Sequence, residues 1–436
     1  MPDAAPAGAG TRRLLLHCVG SAVPALERQA ERALVLASGD DVVCVPREID
    51  PEYLGFLSSL GLGPSAANVI AVPALHGEGG TLAERLLRAG GMVEQLAGRL
   101  GTAEVTLYPY AGRADAFALA NALELVRGRP VRVYAGSVDA TAKADTKHLM
   151  RERAEALGVP VAPGEVATLP HRGRRKGDLE PLRAAIERQL RRADRVVVRG
   201  TSSTGGSMRF LVEPGGDDTD EVLRRVGLGA DERVYLVEAL VDATARATVH
   251  ALVEPESRRV RIAGVSDRRL GRGLAPAGCR FPTAARAVAA MECWAGRLAE
   301  SLAAEGYAGR VGFDFVECRG DAGEPRVFLT GVAPRASEAT YAMALGERLR
   351  APALVSGLVP VRAASFGRLR ELLGRLLYDP DRGTGIVPYG TGWLDQGRCP
   401  IVALGGDRTQ ASELLGKAQA AMAAKTVDIS GGRPVS

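Results

Sequence analysis

Residues 306–340 read GYAGRVGFDFVECRGDAGEPRVFLTGVAPRASEAT. The segment divides into two short apolar strands, 311–317 and 326–330, joined by a polar turn and followed by a basic-polar exit. Asp314 sits in the first strand between Phe313 and Phe315. An unpaired charge in apolar surroundings is costly, so this carboxylate needs a counterpart. A strand carboxylate beside a second strand can hold a divalent cation that bridges phosphates. It can equally be the ion-pair partner of an arginine, and Arg335, just past the second strand, is the obvious candidate. On the residues alone both readings stay open.

Upstream, strands and helices alternate from Arg13 onward. Strands are expected over 14–19, 41–45, 69–72, 105–108 and 131–134. Helices are expected over 23–33, 51–60 (capped by Asp50 and ended near Gly61), 82–100 and 115–127. Five strands separated by helices imply a parallel sheet with Rossmann-like winding, hence an α/β N-terminal domain. The first strand runs into Gly20-Ser21-Ala22-Val23 and not GxGxxG, so no dinucleotide site is argued there. A charged helix over 143–157 follows, then helix 179–192, strand 195–199 and a small-residue loop over 200–207. Strand 234–241 leads to an antiparallel pair, 247–253 and 260–265, and helix 284–305 enters the opening stretch. Beyond it come helix 366–377, strand 401–405 and helix 409–424.

A chain of 436 residues allows two to four domains. Aromatics are only 4%, so Val, Leu and Ala must build the cores. Of 56 basic residues only five are lysines (Lys143, Lys147, Lys176, Lys417, Lys425), which makes each lysine informative. Net charge is +5, and the densest basic run, 171–176, lacks the interleaved aromatics of single-strand binders. It reads as a solvated loop, and no nucleic-acid partner is expected. The six cysteines form no CxxC, and Cys18 and Cys44 lie in apolar runs as small core residues, which fits a reducing compartment. The apolar run after Arg12 and Arg13 stops at Gly20, too short for a secretory leader, and no stretch reaches membrane-spanning length. A cytoplasmic, non-membrane protein is expected. There is no Gly-x-Ser-x-Gly elbow, no Walker loop and no triad or metal spacing among the histidines, so nucleophilic hydrolysis has no support.

Three further stretches carry candidate chemistry. Arg199, at the end of a buried strand, opens the loop Gly200-Thr201-Ser202-Ser203-Thr204-Gly205-Gly206-Ser207, whose amides, hydroxyls and glycines suit phosphate oxygens. Alone, it also reads as a plain hairpin. Asp145-Thr146-Lys147 near a helix start reads as a phosphate-contacting lysine or as a solvent lysine beside a helix-start aspartate. Ser266-Asp267-Arg268-Arg269 could bind a carboxylate or phosphate, or be a turn with exposed arginines.

Taken in order, these elements resemble an ATP-grasp ligase. Lys147 precedes Gly158-Val159-Pro160-Val161. Then come Arg199 with its loop, Val237-Glu238-Ala239-Leu240 as a nucleotide hinge, Ser266-Asp267, Gly312-Phe313-Asp314-Phe315-Val316 and Pro334-Arg335. The N-terminal part, with Asp40-Asp41-Val42-Val43 and Leu107-Tyr108-Pro109-Tyr110, is similar to the pre-ATP-grasp domain of pheganomycin-type peptide ligases; so is the C-terminal part from Gly385-Ile386-Val387-Pro388 onward. The resemblance implies a Rossmann-like domain (1–138), an ATP-grasp linker helix and lid (139–236), an ATP-grasp core (237–362) and a small α/β extension (363–436). It implies a carboxylate–amine ligase that forms an amide through an acyl phosphate, in natural-product assembly, acting on small carboxylates and amines or peptides, with a homodimer compatible. Lys147 and Arg199 would contact ATP phosphates under a lid of Ser202, Ser203, Gly205 and Gly206. Groups near Glu238 and Leu240 would face the adenine, and Asp314 would bind Mg2+. Arg268 and Arg335 would hold the substrate carboxylate or acyl phosphate. Where the family pattern has Glu-x-Asn at the end of the second strand, this chain has Gly331-Val332-Ala333, and the ribose-side acidic position reads Ala245-Arg246-Ala247. Glu317, Glu324 and Glu338 are the remaining carboxylates that could compensate. Two other readings follow from these departures: a degenerate relative that binds without phosphoryl transfer, or an enzyme holding another phosphorylated substrate among Arg199, Arg246 and Arg335.

Overall fold

Five parallel strands carry the N-terminal part: β1 (Thr11–Leu16), β2 (Val42–Val45), β3 (Val69–Ala71), β4 (Glu104–Pro109) and β5 (Val131–Val133). Their order is β3-β2-β1-β4-β5, so the winding reverses between β1 and β4. All five expected strands are present. The computed structural model describes residues 11–18, 27–74, 80–170, 176–201, 209–213, 218–228, 232–271, 276–320 and 322–423.

A four-stranded antiparallel sheet follows, made of β6 (Gly164–Thr168), β7 (Val196–Gly200), β8 (Arg209–Val212) and β9 (Val234–Ala239), in the order β8-β7-β9-β6. The largest sheet has eight strands. They are β10 (Ala243–Val253), β11 (Val260–Leu270), β12 (Pro276–Phe281), β13 (Gly309–Arg319), β14 (Pro325–Ala333), β15 (Ala353–Pro360), β16 (Gly385–Pro388) and β17 (Arg398–Gly405). Their order is β14-β13-β10-β11-β12-β15-β17-β16. The C-terminal strands thus finish the sheet that holds Asp314. Their apolar side chains, among them Ile386, Val387 and Leu404, share one buried cluster with Leu34, Val43 and Tyr53 of the N-terminal part.

The expected helices are present with three departures. Of the expected helix 23–33, residues 19–26 lie outside the described set, and Arg28–Leu36 is a 3-10 helix. The expected helix 82–100 is two, Leu82–Arg88 and Met92–Leu100, because Gly91 adopts φ +77° between them. The charged helix is also two, Val138–Asp145 and Lys147–Ala156, because Thr146 between them is extended, with φ −89° and ψ 108°. That break puts Lys147 in a first helical turn, where its amide donates to Thr201 O just past the end of β7. No helix among the described residues is long and apolar enough to cross a membrane.

The N-terminal domain meets the large sheet at Gly136, whose amide donates to Ala308 O while Ser137 N donates to Gly306 O. A Cβ at Gly136 would stand 2.3 Å from Ala308 N and from Gly306 O, backbone atoms that cannot swing aside. Gly136→Ala is therefore expected to lower stability by about 1–3 kcal/mol through overpacking. Gly98→Ala, in a helix with open space at that position, is expected to be neutral or stabilising by up to about 1 kcal/mol. Thermal unfolding midpoints of the two variants check the pair; equal midpoints would refute the close-approach argument.

Candidate functional site

Asp314 escapes the core because its strand alternates. Phe313 and Phe315 point to one face, fully buried beside Met291, Ala295 and Leu298 of the helix Val288–Ala304. Asp314 points to the other. On that face it lies across from Thr248 on β10 and Gly331 on β14, and Thr248 lies across from Ser266 on β11. One pleat along, Arg246 and Arg268 share the face. Thr248 Oγ1 donates to Asp314 Oδ1 at 2.6 Å, and Arg268 Nη1 lies 2.9 Å from Oδ2. The counterpart of Asp314 is thus Arg268, two strands away, and not Arg335. Residues 266–269 are not a turn: they belong to β11.

A bulge lies beside Asp314. It pairs with Gly331, but Phe315 pairs with Leu329, which leaves Thr330 outside the ladder. The Thr330 hydroxyl donates to Asp314 O at 3.1 Å, and its carbonyl accepts from Arg199 Nη1. Arg199, on β7, also pairs with Glu238 Oε2 on β9. The other Glu238 oxygen takes Arg151 Nη1 at 2.9 Å, from the helix Lys147–Ala156. Arg151, spaced one turn from Lys147 on the charged helix, was not singled out from sequence, and neither were Arg209 and Thr248. Thr248 carries a signal that sequence offers, since it falls on the polar phase of strand 247–253.

Between the four-stranded sheet and the large sheet lies a solvent-open hollow. Its walls include Arg199, Arg209, Glu238, Leu240, Arg246 and Arg268. An adjoining hollow shares Arg199, Glu238 and Thr330 and adds Lys147 and Gly331. Burial, then Arg268 and Arg199, lower the pKa of Arg209, against Asp314. Arg246 meets no acidic partner among the described residues. Leu240, expected beside an adenine, has its amide engaged by Arg195 O, and Ala239 N by Pro163 O. Ser202, Ser203, Gly205 and Gly206 lie outside the described residues.

Arg335 stands apart from this cleft. Its Nη1 lies 2.6 Å from Asp145 Oδ1. Burial alone would lower its pKa, but Asp145 and Tyr110 hold it above the ordinary value. It lines a separate hollow with His17, Tyr110, Tyr134, Tyr307 and Arg310. That hollow lies at the carboxyl ends of β1 and β4, where the winding of the parallel sheet reverses. In open α/β sheets this is where ligands bind. His17 is pushed down to about 3 by burial and Arg310, and His250, 2.9 Å from Ser266 Oγ, to about 4, chiefly by burial. Both imidazoles are neutral at pH 7, which suits neither to donate a proton.

The fit of a magnesium ion fails on the donor set. Both Asp314 oxygens are engaged, Gly331 and Ala333 have no donor side chain, and the described residues contain no group of three or more His, Cys, Asp or Glu that could hold a metal. None of the three remaining carboxylates compensates. Glu317 accepts from the amides of Arg286 and Ala287, Glu324 from Ala322 N, and Glu338 from the hydroxyls of Tyr389 and Ser356.

Residues 30–125 match the family model described as Pre ATP-grasp domain. No curated protein sequence matches the chain significantly. Among solved structures it is similar to an N5-carboxyaminoimidazole ribonucleotide synthetase in an ADP complex, at 12% identity and TM-score 0.57, covering 94% of this chain and 95% of that one. It is similar to biotin carboxylase from Campylobacter jejuni in a β,γ-ATP complex, at 13% identity and TM-score 0.56, covering 92% and 88%. It is also similar to N5-carboxyaminoimidazole synthase from Aspergillus clavatus with ADP and 5-aminoimidazole ribonucleotide, at 15% identity and TM-score 0.53, covering 95% and 99%. The chain thus shares the fold of these enzymes over most of its length, and residues 30–125 are similar to a pre-ATP-grasp domain.

Lys147 Nζ donates to Thr201 O at 3.3 Å. Burial, then Arg199, push its pKa down to about 8, against Asp145 and Glu232. The folded state therefore disfavours the charged ammonium, and that penalty is full below the folded pKa. It is relieved as pH rises from about 8 toward the unfolded value of about 10.4. Competitive acylation read by peptide mass spectrometry is expected to place the Lys147 midpoint near 8. Lys143, hydrogen-bonded to Asp139, should titrate above its ordinary value. Coincident midpoints would refute the assignment.

Proposed function

We propose that the protein is an ATP-dependent carboxylate–amine ligase. The γ-phosphoryl group of ATP passes to a carboxylate oxygen, releasing ADP. An amine nitrogen then attacks the acyl carbon, phosphate leaves, and the nitrogen loses a proton as the amide forms. The observation that carries this reading is the basic cleft between the four-stranded sheet and the large sheet, with Arg199 in its wall and Lys147 in the adjoining hollow. It lies in a fold whose solved neighbours include ADP and ATP complexes. Fixed cations act here by stabilising charge on the transferring phosphoryl group. No step is assigned to magnesium.

The acceptor side is the hollow with His17, Tyr110 and Arg335. A guanidinium fork suits a carboxylate or an acyl phosphate, and this one borders Gly309 and Arg310, which begin the strand that carries Asp314. The order of elements shared with peptide ligases supports amino acids or short peptides as carboxylate and amine, as in natural-product assembly. The competing reading, a relative that binds without phosphoryl transfer, is favoured by the engagement of Asp314 by Arg268.

ADP release with mixed amino acids and dipeptides separates the two. Release that needs both a carboxylate and an amine is the expected outcome. Arg335→Ala should then lower kcat/KM for the carboxylate about 10- to 100-fold, the worth of a charge-assisted hydrogen bond, with ATP affinity little changed. ATP binding with no ADP release from any donor pair would favour the binding-only reading, and no ATP binding at all would end both.

A further inference from the structure

An acidic strand position in a phosphate-binding cleft ordinarily serves a metal ion, yet here its carboxylate is closed on both sides. Arg268 takes one oxygen and Thr248 the other. The positions across from Asp314 and beyond it, Gly331 and Ala333, have no side-chain donor. Glu238, in the wall of the cleft, is held by Arg199 and Arg151. Among the described residues, the wall of the cleft also carries Arg199, Arg209, Arg246 and Arg268. A dication at Asp314 would have to displace the Arg268 guanidinium, and Arg209 would repel it from the same side. An anion meets the opposite situation. Arg246 is uncommitted to any acid among the described residues, and guanidinium forks match phosphate oxygens two at a time.

We infer that Arg268 stands where a divalent cation would, and that the cleft binds the polyphosphate of its nucleotide through arginines, without a divalent metal. This rests on the ligase reading for the identity of the ligand as ATP. The positive charge that shields the polyphosphate is then supplied by the chain itself: Arg268 anchored by Asp314, Arg199 anchored by Glu238, and Arg209 and Arg246 between them. Arginine suits the role because its charge persists at every physiological pH.

Calorimetric titration of the full chain with ATP, once in excess EDTA and once in millimolar magnesium, tests this. The expected result is a similar affinity in both, with Arg246→Gln and Arg268→Gln each weakening binding in EDTA by about tenfold or more. Arg246→Gln breaks no ion pair among the described residues, and a thermal melt checks that it is folded. Thermal melts check that Arg268→Gln is folded. Binding that appears only with magnesium would overturn the inference and leave the ligase reading standing. Unchanged affinity in the folded Arg246 and Arg268 variants would overturn it as well. No ATP binding in either buffer would instead remove the ligase reading beneath it.

Discussion

The cleft exists because one carboxylate, that of Glu238, holds two guanidiniums from different parts of the chain. Arg151 approaches from the helix Lys147–Ala156, and Arg199 from β7 of the four-stranded sheet. Arg199 then reaches across to Thr330 O on the large sheet. Three units are joined through a group that is 6% exposed, where an orphaned charge is far more costly than on the surface. Removing one member of such a buried pair typically costs about 3–5 kcal/mol, because the other is left unpaired. The interaction that joins the four-stranded sheet to the large sheet is therefore also one that the fold cannot easily lose.

The floor of the cleft follows from period-two alternation. One phase of β10 and β13 supplies Val249, Ala251, Phe313 and Phe315 to the core, and the other supplies Arg246 to the wall of the cleft and Thr248 and Asp314 beside it. Burying a Phe side chain contributes about 1.5–3 kcal/mol, so a one-residue slip that exposed Phe313 and Phe315 would be prohibitive. The apolar phase thus fixes the register that holds Asp314 beside Thr248. The bulge at Thr330 adds what regular pairing cannot, a carbonyl outside the ladder that Arg199 can reach.

This division explains what was legible in the sequence. The five parallel strands, the antiparallel pair and the Asp314 strand are written in local alternation and flanking turn residues, and each is found. The break at Gly91 is written there too, in the pair Gly90-Gly91, but the apolar periodicity on either side hides it; the break at Thr146 is not, because it comes from a single backbone conformation. The partner of Asp314 was misjudged for a different reason. Arg335 is near in the chain, whereas Arg268 is near in space only once β10 and β11 are in register, and Arg335 is drawn to Asp145 instead. Local reading recovers which residues share a face and fails on which of several arginines meets which acid.

The scarcity of lysine gains a physical sense from this. A cleft built on lysines would lose positive charge as burial and mutual repulsion lowered their pKa values, as happens to Lys147. Arg209 is lowered by the same causes, but it starts from a value so high that its proton stays in place. The guanidiniums therefore remain charged while crowded, and the crowding is itself a store of unfavourable energy that an arriving anion relieves. Among the described residues that line the cleft, guanidiniums outnumber carboxylates, which favours an anion there. The same excess that attracts a polyphosphate disfavours a dication beside Asp314, which is why the loss of donor side chains at Gly331 and Ala333 and the placement of Arg268 belong to one arrangement.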